Sequence, residues 1–223
     1  SSLPLPSTSP LLLSHYPSIL SRTGCDLHPF SIQTDTDRAR LKSFVWPDQM
    51  DRFHRLAEGI AAHKLISEKH QDIPIHTVHL PHGLPAFLKS LSLSSSSSSS
   101  SSYSNNNNPE CVVIYNTYMT EYLENQGRDM VTYIEEWAKE TKHSVLWCQS
   151  EPARHDHKGQ PPEEHWCLWT VDFWWTDDDT DKNKAKTATT NHKSWTLAWV
   201  HPHLKQINWF PDELGDFQLQ FKK

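Results

Sequence analysis

Residues 21–55 read SRTGCDLHPFSIQTDTDRARLKSFVWPDQMDRFHR. They hold two tightly specified clusters, Arg22-x-Gly24-x-Asp26-x-x-Pro29 and Val45-Trp46-Pro47-Asp48-Gln49. Ser18 to Asp26 reads as a short strand closing on Gly24. Pro29 ends it, because proline lacks an amide hydrogen and restricts His28 before it. Asp35 to Lys64 then reads as a helical block. Thr34 or Asp35 can cap it, and acids in its first turn suit the helix dipole. Pro47 must break or restart that helix. Asp48 and Gln49 mark a second start, with Phe53, Leu56, Ile60 and Ala61 at helical spacing.

Working outward, Pro74 to Leu80 alternates apolar and polar residues and predicts a strand, and Leu84 to Leu91 predicts a short helix. Glu110 to Tyr115, ECVVIY, is a continuous apolar run that fits a strand covered on both faces, as in parallel sheets. Met130 to Glu140 predicts an amphipathic helix with Ile134 and Trp137 on one face. His143 to Cys148 and the tryptophan-rich His165 to Trp175 predict further strands. Ser194 to His201 and Gln206 to Phe210 predict two more, joined by a turn at Pro202, with an edge strand at Phe217 to Phe221. Strands alternating with helices imply right-handed crossovers and a mostly parallel sheet, and a closing hairpin adds an antiparallel edge. The expected fold is α/β and Rossmann-like, with a C-terminal antiparallel hairpin.

The organisation expected is a loose arm over residues 1–18 and a single α/β domain over 19–223. Two stretches dilute that domain: a serine–asparagine insertion over 94–108 and a charged loop over 176–192. Such composition buries too little apolar surface to offset chain entropy, and surface loops tolerate insertions of this kind. The chain has 223 residues and a formal charge of −6. That balance argues against a nucleic-acid surface, which needs a basic face. No apolar run approaches the roughly 20 residues of a membrane helix. The start has neither an initiating Met nor a basic signal region, and it reads as an internal point of a longer chain. The four cysteines form no C-x-x-C pair; they read as buried free thiols of a reducing, cytoplasmic setting.

The two clusters of residues 21–55, together with Phe44 and Arg52, resemble a largely bacterial uncharacterised family, domain of unknown function 2332. Stretches beginning at Val112, Ser144 and Leu197 support the likeness, which spans roughly Ile19 to Phe210. The resemblance implies a sheet similar to that of class I methyltransferases. Members carry an upstream strand and a Gly-x-Ser-Ala-Gly-Leu-Asn-Leu loop, similar to the loop that holds S-adenosylmethionine. This chain has six isolated glycines and no such loop. It reads as a fragment of a longer product or as a degenerate member.

The candidate site residues follow from strand ends. Open α/β sheets place ligands at the carboxyl ends of their strands. The resemblance places Gly24 and Asp26 where a cofactor ribose is held; the alternative is that Asp26 caps its own turn. Asn116 follows the ECVVIY strand and joins this cofactor set. Tyr118, Glu121 and Glu151 are the candidate catalytic residues, since either acid or the phenol can orient a substrate or move a proton. Asp48 and Arg52 have the spacing of a helical ion pair, and Arg22 sits close enough to Asp26 for a local one. His155-x-His157, His201-x-His203 and His76-x-x-His79-x-x-His82 invite a metal. No acid or cysteine at ligand spacing supports them, and no metal site is assigned. The expected activity is thus an unknown one, with S-adenosylmethionine-dependent methyl transfer conditional on a glycine loop supplied from elsewhere. The expected ligand is a small molecule. The alternative is a non-catalytic interaction module presenting Trp166, Trp169, Trp174, Trp175, Trp195, Trp199 and Trp209 to a partner.

Overall fold

The computed structural model describes residues 19–67, 73–94, 111–141, 143–152, 160–176, 190–202 and 205–221, without the side chains of 66–67 and 92–94. The arm over 1–18 and nearly all of both expected insertions lie outside these residues. Two compact units are distinguished, Pro4–His79 and Leu80–Lys223.

In the front unit, β1 (Gly24–Asp26) and β2 (Ile75–Thr77) form a two-stranded parallel sheet. Helices α1 (Asp35–Ser43) and α2 (Met50–Ser67) lie between them in sequence. Thr34 caps α1 by accepting from the Asp37 backbone N–H at 3.1 Å, which supplies one of the acceptors a helix start lacks. Arg38 pairs with Asp35 at 2.5 Å, and this contact holds the Asp35 carboxyl below its ordinary range. The break between α1 and α2 falls around Pro47, as the sequence predicts. Arg52 meets Gln49 Oε1 at 2.7 Å, one turn back on the same face.

The larger unit is an α/β arrangement around a five-stranded sheet of order β3-β4-β5-β6-β7. Its strands are β3 (Cys111–Thr117), β4 (Ser144–Pro152), β5 (Cys167–Thr176), β6 (Thr190–Val200) and β7 (Ile207–Trp209). Only β3 and β4 are parallel; the other three pairs are antiparallel. The sheet is therefore mixed rather than mostly parallel. Helix α4 (Arg128–Glu140) provides the crossover that a parallel pair requires. No helix stands between β4 and β7 among the described residues, so these strands run as a meander.

The register sorts the side chains onto two faces. Val145, Trp147 and Trp174 pack under α3 (Leu84–Ser94) and α4, against Leu88, Ile134 and Trp137. Val171, Phe173, Trp195 and Leu197 form the core on the opposite face. The tail over Phe217 to Phe221 is not an edge strand. All but Phe221 belongs to α5 (Pro211–Gln220), started by a proline in its first turn, and Phe217 packs edge-on against Trp195 with ring centres 5.3 Å apart. Asp216 fixes that helix by accepting from Trp195 Nε1 and meeting Lys193 Nζ, both at 2.6 Å. The Lys193 contact is the main reason its carboxyl titrates below the ordinary range.

The ECVVIY strand is not covered on both faces. β3 is the edge of the sheet, with Val112 and Ile114 packed against the α3–α4 core and Val113 and Tyr115 exposed. The tryptophan-lined surface of the interaction reading is not found either. Trp166, Trp174, Trp195 and Trp199 are buried, and Trp169, Trp175 and Trp209 are half-buried. Of all ten tryptophans only Trp46 is exposed. The expected result is blue-shifted fluorescence that acrylamide quenches weakly; emission near that of free indole in the folded protein would contradict this packing.

Candidate functional site

The polarity of the sheet changes along the α3–α4 face. Residues aligned across the register begin as Val112, Val145 and Trp174 and end as Asn116, Gln149, Thr170 and Thr196. The shift falls at the carboxyl ends of the two parallel strands. Beyond it the sheet floors a cavity of about 720 Å³. Gln149 and Glu151 of β4, Thr170 and Asp172 of β5, and Ser194 and Thr196 of β6 line it. Phe210 and the first turn of α5 form part of its wall.

Glu151 is the most tied-down group of this region. It is 7 % exposed. Its Oε1 accepts from Asn116 Nδ2 at 2.7 Å. Its Oε2 accepts from the backbone N–H groups of Met119 and Thr120 at 2.8 and 3.0 Å, and from Thr120 Oγ1 at 3.0 Å. Asn116 Oδ1 accepts from Trp147 Nε1 at 2.6 Å. The chain Trp147–Asn116–Glu151–Thr120 thus clamps the turn after β3 onto the end of β4. A buried carboxyl with this many donors has its hydrogen-bonding capacity met.

That turn is strained. Tyr118 has φ of 47°, and Asn125, Gln126 and Gly127 are all left-handed. Tyr118 N–H donates to Ser150 O at 2.9 Å, which ties the turn to β4. A Cβ at Gly127 would meet Thr120 Cγ2 at 3.0 Å in a backbone of φ 68°. Gly127→Ala is expected to destabilise the protein by about 1–3 kcal/mol, read as a lower urea midpoint.

The structure brings Asn116, Tyr118, Glu121 and Glu151 together at this turn, but only Glu151 lines the cavity. Burial is the largest influence on Tyr118, followed by the negative charge of Glu121, and both push the phenol pKa up. Glu121 is exposed. Gly24 and Asp26 lie in the other unit, on the two-stranded sheet. Asp26 Oδ1 accepts from the His28 backbone N–H at 2.7 Å, the geometry of a self-capped turn. A Cβ at Gly24 would have only ordinary contacts, 3.7 Å to Ile75 Cγ1.

No group of three or more His, Cys, Asp or Glu side chains is placed to share an ion among the described residues. His155, His157 and His203 lie outside those residues. No described helix is long and apolar enough to cross a membrane. All four cysteines are free, but only Cys167 is buried and Cys111 is exposed. Desolvation, then the charges of Glu151 and Glu121, push Cys167 up to about 11. At pH 8 its thiolate fraction is therefore minute. Mass spectrometry after brief iodoacetamide treatment is expected to show Cys111 modified first and Cys167 protected until the protein is unfolded.

Asp172, Ser194 and Thr196 carry no motif and were missed by the sequence reading. Their signal is a polar residue at every second position of strands otherwise rich in tryptophan. Asp172 Oδ1 meets Ser194 Oγ and, at 3.0 Å, His192 Nε2. His192 stacks on Trp174 with ring centres 4.6 Å apart.

Residues 3–89 match the family model of an uncharacterised protein conserved in bacteria, DUF2332. The resemblance seen in the sequence stands on that stretch, which contains both clusters of residues 21–55. The supporting stretches at Val112, Ser144 and Leu197 fall outside it. No curated protein and no solved structure matches the chain.

Proposed function

We propose that the unit over 80–223 is a small-molecule-binding domain whose ligand occupies the cleft at the carboxyl end of β4. The observation that carries this reading is the switch of one sheet face from tryptophan and valine to Gln149, Thr170, Asp172, Ser194 and Thr196 where the helices stop covering it. Polar side chains at alternate strand positions add nothing to a core, whereas a cavity of about 720 Å³ falls in the size range of small-ligand sites. In this reading Glu151 and Asn116 hold the cleft's margin in shape. Tyr118 and Glu121 stand beside it on the same turn.

Methyl transfer is the chemistry that the likeness to a methyltransferase-like, Rossmann-like family suggests. The residues present do not fit S-adenosylmethionine. Gly24 stands in no crowded turn that a Cβ would fill, and the Asp26 carboxylate is engaged by its own turn. No glycine-rich turn follows any described strand. We therefore derive no step through that cofactor and assign the chain ligand binding alone, in a setting the free thiols suggest is cytoplasmic.

The test is saturation-transfer NMR of the 223-residue chain with a mixed panel of small polar fragments. Thr196→Trp places a bulky ring on the cleft floor. The expected result is a set of bound fragments whose signals vanish in Thr196→Trp. Fragments that bind equally well to both proteins would end this reading.

A further inference from the structure

In the front unit, the connection between α1 and α2 carries its apolar side chains outward. Phe44, Trp46 and Met50 are 64, 72 and 52 % exposed, and all three fall within seven consecutive residues. Single exposed apolar side chains are ordinary, but three large ones on one short connection are not scattered. The connection is closed on itself. Val45 N–H donates to Lys42 O at 3.1 Å and Gln49 N–H to Trp46 O at 2.9 Å, and Pro47 has no N–H to satisfy. Backbone groups met internally can leave water at small cost. Cations flank this tip. From Ala39 to Arg55 stand Arg40, Lys42, Arg52 and Arg55 against Asp48 and Asp51, in a chain whose formal charge is −6. The acids Asp35 and Asp37 serve the opposite end of α1. Arg40 and Lys42 close α1, where its dipole favours a cation. Arg52 and Arg55 open α2, where the dipole disfavours one, so helix formation does not account for them. Arg52 is kept beside the tip by donating to Gln49 Oε1.

We propose that this tip docks the protein on an anionic lipid bilayer, independently of the cleft. Phe44, Trp46 and Met50 enter the boundary between headgroups and acyl chains. The Trp46 indole sits at headgroup level, where a ring with an apolar body and a polar N–H is well placed. Arg40, Lys42, Arg52 and Arg55 meet the lipid phosphates. Apolar burial and charge attraction add, as they do in peripheral membrane anchors. The negative membrane surface also selects this face, because the surplus of acid lies in the rest of the chain. The contact is a surface one: no described helix is long and apolar enough to span the bilayer.

The experiment incubates the 223-residue chain with vesicles of phosphatidylcholine alone and of phosphatidylcholine mixed with phosphatidylglycerol, and follows sedimentation and tryptophan emission. The expected result is binding to the mixed vesicles, weakened by salt, with little binding to phosphatidylcholine alone. Binding should carry a blue shift, and Trp46 is its source, because the nine other tryptophans are already buried or half-buried. Trp46→Ala should lower vesicle affinity by about tenfold and abolish the shift. Arg40→Gln with Arg55→Gln should lower it by about tenfold or more. All three positions are exposed, so the variants are expected to keep the fold, which circular dichroism checks. Failure to bind mixed vesicles, equal binding to both kinds, or binding indifferent to Trp46→Ala would each overturn the proposal. A dimer in light scattering that dissociates in Trp46→Ala would assign the tip to a second copy of the chain and overturn it too.

Discussion

Glu151→Ala is expected to destabilise the protein by about 3–5 kcal/mol. The substitution removes the acceptor of four donors at once: Asn116 Nδ2, the backbone N–H groups of Met119 and Thr120, and Thr120 Oγ1. Each donor left buried without an acceptor costs about 1–3 kcal/mol. Water entering from the cleft can satisfy some of them, so the sum falls short of four full penalties. Thr120 is itself buried, and its two donors are the hardest to rescue. Glu151→Gln keeps the length and one acceptor oxygen but turns an NH₂ group toward donors, and its cost is expected at about 1–3 kcal/mol. Urea unfolding followed by tryptophan fluorescence reads both. A midpoint for Glu151→Ala within error of the parent would show that the clamp contributes nothing. A proton-transferring Glu151 would behave differently: its replacement would alter chemistry and spare the fold.

Glu151 lies on the boundary between what local sequence specifies and what only the fold brings together. The position of Glu151 at a strand's carboxyl end was legible, because an apolar run ending in polar residues marks such an end. Its partners were not legible. Asn116 is 35 residues away, and only the parallel pairing of β3 with β4 brings the two side chains together. The helices around Pro47 and the amphipathic α4 were legible for a local reason: their signals are caps, breakers and a 3.6-residue period. Strand direction has no local signal. The sequence from Ser144 onward shows apolar strands whichever way they run, and a mostly parallel sheet was expected where a meander formed. The last segment misled for a related reason. Phe217, Leu219 and Phe221 alternate as a strand would, but Pro211 with Asp212 and Glu213 start a helix that uses Phe217 against Trp195. The cavity-lining residues of β5 and β6 were the least visible. Thr170, Asp172, Ser194 and Thr196 gain meaning only when the register aligns them on one face.

Trp147→Ala is expected to cost about 3–5 kcal/mol, through a mechanism that meets the first at a shared residue. The indole is 1 % exposed and sits in the core between the sheet and α3–α4. Its removal leaves a void among residues held by two helices, which cannot close on it fully. The same substitution strips Asn116 Oδ1 of its donor. The Trp147 N–H orients the Asn116 amide that serves Glu151, so the effects of Trp147 and Glu151 should not add. Groups in one hydrogen-bonded network show coupling of about 0.5–3 kcal/mol. Trp147→Phe isolates the polar part, because it keeps much of the volume and loses the N–H. Its combination with Glu151→Gln is expected to be less destabilising than the sum of the two by about 1 kcal/mol, for the reason that a clamp already loosened at one end has less to lose at the other. Strict additivity in a double-mutant cycle would mean that Asn116 is held by its strand alone, and that the turn after β3 is shaped by backbone pairing with Ser150 rather than by the buried carboxylate.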